Sequence, residues 1–261
     1  LLRRMTLEAP GTYHHSLVVA SLAEAAAEKV GANPTICRVM AYFHDVGKLV
    51  KPNYFTENMA VGRNPHDELA PSMSALIIIA HVKEGVDMAL KHRLNRQIVD
   101  AIQQHHGTGM VSYFYKRALQ HQQDMKAGGR IMNIREEDVP EVREESFRYA
   151  GPRPQTREVG ILMLADAVES ASRSLDKVTP QRIDQLINDI IEGKVADHQL
   201  DECDLTLKDL RKLAESFRFT LQTMMHTRIA YPKEDEPAGG AGLVVEGVVR
   251  PPVSAPPVSA A

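Results

Sequence analysis

Apolar residues recur along this chain at helical spacing, segment after segment. Leu17, Val18, Leu22, Ala25, Ala26 and Val30 share one face of a helix that Thr12 or Ser16 could cap and Gly31 ends. Asn33-Pro34 starts a second helix over residues 35–45, with Ile36, Val39, Met40 and Phe43 inward. Residues 48–64 show no period and read as a loop. After Pro71 the run Ser74-Ala75-Leu76-Ile77-Ile78-Ile79-Ala80-His81-Val82 could pass for a buried strand. It continues with helical spacing into Met88-Ala89-Leu90, and that length favours a buried helix. A fourth helix over residues 95–105 carries Ile98, Val99 and Ile102 and stops at Gly107 and Gly109.

Further amphipathic helices are predicted over 111–125, 156–175, 180–191 and 205–229. Residues 126–145 are polar and charged, contain Gly128-Gly129 and Pro140, and read as a long loop of low order. No period-2 strand series appears. The expectation is one all-α domain over residues 1–232. A flexible tail over 233–261 follows, rich in Pro, Ala and Gly, with near-repeats of Pro-Pro-Val-Ser-Ala.

Composition narrows the partners. The chain has 261 residues, 43% of them hydrophobic, so a sizeable core is available; there is no tryptophan, so aliphatics and methionine must fill it. A formal charge of −3 argues against a general binder of large nucleic acids, whose footprint is a basic face. Cys37 and Cys203 are far apart and in no CxxC pattern, so reduced buried thiols are expected. No window approaches 18 uncharged apolar residues, and no signal peptide is visible. The opening Leu1-Leu2-Arg3-Arg4 reads as the start of a piece of a longer protein.

Candidate chemistry gathers around Ala41-Tyr42-Phe43-His44-Asp45-Val46-Gly47-Lys48. Imidazole and carboxylate together suit a first-row divalent ion, and a lysine suits a phosphate. Partners occur elsewhere: His15 on the first helix, His81 on the third, His105-His106 ending the fourth, and Asp166 inside a later apolar helix. Any one of these has a plainer reading as a hydrogen-bonded core residue or cap. Their joint occurrence on separate helices is harder to explain so. Five histidines and two aspartates exceed the needs of one four-coordinate ion and suit two metals sharing a carboxylate. Asp45 is the natural bridge. His15, His44 and Asp166 would complete one ion, and His81 and His105, with or without His106, the other. With no cysteine among the ligands, iron or manganese fits and structural zinc does not.

Taken in order, these residues resemble the HD-domain metal phosphohydrolase superfamily. Pro10-Gly11-Thr12-Tyr13-His14-His15-Ser16, His44-Asp45-Val46-Gly47-Lys48, Asn64-Pro65-His66-Asp67, His105-His106-Gly107-Thr108 and Leu164-Ala165-Asp166-Ala167-Val168-Glu169 are similar to the seven-transmembrane HD proteins, the PgpH-type cyclic di-AMP phosphodiesterases. The resemblance covers residues 1–232. It implies a cytoplasmic domain of a membrane-anchored bacterial protein, able to form homo-oligomers, that hydrolyses cyclic di-AMP to pApA at a di-iron or di-manganese centre. Metal-ligand roles then fall on His15, His44, Asp45, His81, His105, His106 and Asp166. Two departures stand out: the charged stretch 126–145 is longer than expected, and Ala150 stands where a proline is expected.

The mechanism expected from this likeness is in-line attack on phosphorus by a hydroxide bridging the metals. Lys48 would balance charge on the phosphate. His106 would protonate the leaving oxygen, complete the ligand set or support it from behind. Tyr54 or Phe55 could stack on an adenine and Asn58 read its edge, with Arg63 nearby; the aromatics could equally anchor their loop to the core. His66 and Asp67 are expected as a helix cap or as support behind the ligands. Competing readings are an HD phosphodiesterase for cyclic di-GMP or a nucleoside phosphate, disfavoured by the absence of Gly-Tyr-Pro, and a non-catalytic module that senses a dinucleotide. An all-α interaction scaffold would leave the buried histidines unexplained.

Overall fold

The computed structural model of the chain describes residues 1–59, 62, 64–132, 140–175 and 179–226. Among them the regular structure is helical: α1 (Leu2–Glu8), α2 (Pro10–Val30), α3 (Pro34–Phe43), α4 (Pro71–Lys91), α5 (Arg96–Gln104), α6 (Ser112–Met132), α7 (Arg157–Ser172), α8 (Pro180–Ala196) and α9 (Leu207–His226). The only β pairing among these residues is an isolated bridge between Met110 and Arg148. The all-α expectation holds, and Leu1–Arg228 forms one compact unit. The predicted tail over 233–261 lies outside the described residues, as does Arg63.

Local chemistry sets the helix ends. Gly31 closes α2 in the left-handed conformation at φ 70°. The Asn33 side chain accepts from the Ile36 amide at 3.1 Å, and Pro34 fills the first position of α3. Thr156 and Thr179 cap α7 and α8 in the same manner. Two expectations need correction. α1 precedes the first predicted helix, and α2 begins at Pro10 with Ala9 as a cap that makes no side-chain bond; without a capping side chain the junction left no mark. α6 continues through Gly128-Gly129 to Met132, so the first part of the stretch read as a loop is helical. Glycine lowers helix propensity by about 1 kcal/mol per residue, which a continuing helix can outweigh.

The main core joins α2, α3, α7, α8 and α9, with Leu22, Met40, Leu162, Leu164, Ile187, Leu213 and Phe217 inside. A second cluster packs α1, α4 and α5 around Val46, Leu49, Val99 and Ile102. α7 runs through the middle, buried from Val159 to Asp166. Both cysteines are free and buried, as expected. Among the described residues no helix is long and apolar enough to cross a membrane.

Candidate metal centre

The polar side chains buried between these clusters meet at one place. α2 carries His15 and α7 carries Asp166 on mid-helix faces. α3 and α5 end at His44-Asp45 and His105-His106, where each chain leaves its helix and turns side chains inward. α4 brings His81. Two groups result, His15, His44 and Asp166, and Asp45, His81, His105 and His106, each with ligand atoms within 4.8 Å of one another.

Asp45 faces both groups. Its Oδ2 lies 3.3 Å from His44 Nε2 and 3.5 Å from His15 Nε2. Its Oδ1 lies 3.4 Å from His81 Nε2 and 3.6 Å from His105 Nε2. Asp166 Oδ1 lies 3.0 Å from His15 Nε2 and 3.7 Å from His44 Nε2.

The rings are oriented by a repeated device. Nδ1 of His44, His81 and His105 meets the carbonyl three residues back, at Ala41, Ile78 and Ile102, over 2.7, 2.6 and 2.8 Å. His15 Nδ1 is hydrogen-bonded to Glu169. A carbonyl can only accept, so Nδ1 of His44, His81 and His105 is the donor. In the neutral ring Nε2 then carries a lone pair. His81 Nε2 and His105 Nε2 thus present lone pairs 3.4 Å apart. His15 Nε2, His44 Nε2 and Asp45 Oδ1 are buried and reach no hydrogen-bond partner despite the short separations, and Asp45 Oδ2 meets the Lys48 ammonium at 2.7 Å. The atoms aim at shared points rather than at one another, which is the arrangement a cation satisfies and an apolar or hydrogen-bonded core does not. The residues fit divalent metal ions.

Electrostatics divide the centre. Burial opposes charge on His44, but Asp45 and Asp166 lift its pKa to about 10. Burial likewise opposes charge on His15, yet its bonds to Asp166 and Glu169 raise its pKa. On the other side burial prevails: His81 falls to about 4, and His106 is held well below the usual imidazole range by burial and by His105. Burial also works against the carboxylates, but the His44 and Lys48 charges keep Asp45 well below its usual range.

The remaining predicted residues fall at different distances from this chemistry. Lys48 Nζ lies 2.7 Å from Asp45 Oδ2, 2.8 Å from Glu57 Oε1 and 5.0 Å from the Phe55 ring centroid. Its charge is engaged with two carboxylates here. His106 sits at the rim, with Nδ1 3.8 Å from Asp166 Oδ2 and its ring stacked on Tyr149 at 4.3 Å. Asn58 is a correction: Oδ1 accepts from the Thr12 amide at 3.2 Å and Nδ2 donates to Thr12 Oγ1 at 2.7 Å, so its amide ties the loop to α2 instead of standing free to read a base. Phe55 is buried against His81, the anchoring alternative for that ring. Tyr54 lies edge-on to the His66 ring, and its carbonyl is 2.8 Å from His66 Nε2. His66 is thus a loop support.

Sequence reading missed Glu169, Glu57 and Tyr149. Glu169 carried a signal, being a carboxylate one turn beyond Asp166 in an otherwise apolar helix. Arg173 Nη2 holds it from outside at 3.2 Å. Glu57 and Tyr149 lie on irregular segments, where no period marks which way a side chain points.

The HD domain family matches residues 12–171. This chain belongs to the HD domain family. Within it, this HD domain is 43% identical over 233 residues to the cyclic-di-AMP phosphodiesterase PgpH of Bacillus subtilis (strain 168), covering 89% of this chain and 30% of that protein. It therefore spans less than a third of the length of the curated relatives it matches. The crystal structure of the L. monocytogenes phosphodiesterase PgpH HD domain superposes with a TM-score of 0.77 at 38% identity, covering 86% of this chain and 98% of that one. The same domain in complex with cyclic-di-AMP superposes with a TM-score of 0.75 at 39% identity, covering 85% and 96%.

Proposed function

We propose that this HD domain hydrolyses cyclic di-AMP to pApA at a centre of two divalent metal ions, iron or manganese. The observation that carries the reading is the Asp45 carboxylate, which turns one oxygen to each group of histidines. His15, His44 and Asp166 would hold one ion, and His81, His105 and His106 the other, with Asp45 shared. The donors are all nitrogen and oxygen, a set that suits iron and manganese. Bound there, such ions supply an activated water and neutralise phosphate charge.

The chain's own residues do the rest. The four Nδ1 contacts hold the rings so that only Nε2 faces the centre. Lys48, paired with Asp45 and Glu57, holds a positive charge beside Asp45 that would lower the cost of bringing a phosphate oxygen to that side. His106 stands at the rim beside Asp166; where it does not hold the ion itself, its ring would exchange a proton with the departing oxygen. The choice of cyclic di-AMP is supported by the relatives, one of which has been crystallised with it. The same reading places the domain on the cytoplasmic face of a membrane-anchored parent, supported by the family resemblance.

The test is side-by-side turnover of cyclic di-AMP and cyclic di-GMP by protein loaded with iron or manganese, with metal content measured on the same sample. Cyclic di-AMP should be preferred, and Asp45→Ala should lose metal and activity together. Full turnover by Asp45→Ala would overturn the shared-carboxylate centre. Tight binding of cyclic di-AMP by metal-replete protein without product would make the domain a sensor.

A further inference from the structure

Beside the metal centre lies a cavity of about 370 Å³, lined among others by Gly109, Met110, Arg148, Ala167, Lys194 and Asp197. Ala167 directly follows Asp166 on α7. Gly109 ends the turn that carries His105 and His106, its amide donating to the His106 carbonyl at 3.0 Å. Two residues of its lining thus adjoin the centre along the chain.

Most polar groups lining it have close partners. Arg148 is held by Glu144 at 2.7 Å, by Asp197 at 3.0 and 3.2 Å, and by the Thr108 carbonyl at 2.9 Å. Asp197 also accepts from Gln199 at 3.0 Å. Asp189 accepts from Gln185 at 2.6 Å. Lys194, in the last turn of α8, is only partly exposed. Among the described residues its ammonium makes no hydrogen bond and no ion pair. A Cβ placed on Gly109 would lie 3.6 Å from its Nζ, so the ammonium stands against the turn below His106. Burial lowers its pKa, opposed by Asp166 and Asp197, so the Asp166 carboxylate is within its electrostatic reach. A half-buried ammonium with no direct hydrogen bond or ion pair has its donors free for an anion that enters the cavity.

A cyclic dinucleotide brings two phosphodiesters. Metal ions held at Asp45 would take the one being cleaved, which leaves the other to residues outside the centre. We infer that Lys194 binds the phosphodiester of the substrate that is not being cleaved, which makes it a substrate-positioning residue outside the metal centre. This rests on the function proposed above. The plainer role for Lys194 is complementing the carboxyl end of α8, which would affect stability alone.

The experiment compares wild type, Lys194→Met and Lys194→Arg, each metal-loaded, on cyclic di-AMP and on bis(p-nitrophenyl) phosphate, which has one phosphodiester. Lys194→Met should raise KM for cyclic di-AMP about tenfold or more with kcat little changed, the size expected for losing a charge-assisted hydrogen bond. It should leave bis(p-nitrophenyl) phosphate turnover as in wild type, and Lys194→Arg should recover most of the loss. Equal losses on both substrates, or no loss on either with a changed melting temperature, would overturn the inference while leaving the phosphodiesterase intact. Wild type that cleaves bis(p-nitrophenyl) phosphate but not cyclic di-AMP would instead overturn the substrate reading, and the inference with it.

Discussion

Four histidines of the centre, His15, His44, His81 and His105, spend one ring nitrogen on the protein and leave the other facing inward. For His44, His81 and His105 the partner is a carbonyl of the same helix, which no side-chain substitution removes. For His15 it is Glu169, which a substitution does remove. Glu169→Gln should therefore weaken metal binding about 10- to 100-fold, measured by competition with a chelator. The fold should be retained, since the amide is nearly isosteric. A second prediction concerns Cys37, fully buried in the main core. Burial and nearby Glu158 push its thiol from 9.0 up to about 12. An unfolded chain ionises this thiol above pH 9 while the folded one keeps its proton, so its contribution to stability falls as pH rises from 9 toward 12. Between those values wild type should lose stability more steeply than Cys37→Ala in urea denaturation, and parallel slopes would refute the assignment. At this scale the candidate ligands stood out because a charged or imidazole group inside an apolar run is conspicuous. Asn58 was not, because its identity does not reveal that both ends of its amide meet Thr12.

Among elements, the decisive contact is between the 3₁₀ turn Val46–Val50 and α4. A Cβ on Gly47 would lie 1.8 Å from the His81 carbonyl oxygen and 2.5 Å from the Gly85 amide nitrogen. Both obstacles are backbone, so no rotamer change relieves them. Gly47→Ala should cost about 3 kcal/mol or more and displace Asp45 from His81, which chemical denaturation and metal titration would read together. Gly193 is the contrast: it sits inside α8 with nothing within 4 Å of an added Cβ. Gly193→Ala should stabilise by about 0.5–1 kcal/mol, seen as a raised melting temperature. Helix positions were legible from period and caps, as with Asn33-Pro34 before α3 and Pro71 opening α4. α1 and the continuation of α6 past Gly128-Gly129 were not, because neither has a local start or stop signal that outweighs its surroundings.

In the whole molecule, α2, α3, α4, α5 and α7 converge on two groups of buried carboxylates and imidazoles, among which His15 Nε2 and His44 Nε2 reach no hydrogen-bond partner. Ions bound there favour the folded state by mass action. Adding manganese to chelator-treated protein should raise the melting temperature by several degrees or more, and Asp45→Ala should abolish the rise. An unchanged melting temperature in wild type would argue against ions at this centre.

The sequence by itself determined the helical class, most helix boundaries and a set of residue types suited to metal chemistry. These depend on period, caps and residue type, all of which are local. Only the tertiary structure decided that Asp45 divides its two oxygens between two groups of histidines, that Glu169 stands behind His15, that Lys48 is engaged by Glu57 as well as Asp45, and that Lys194 makes no direct hydrogen bond or ion pair. Those facts depend on which helices pack together and which side-chain atoms then meet, and residues 154 positions apart, such as His15 and Glu169, carry no mark of that meeting in their order along the chain.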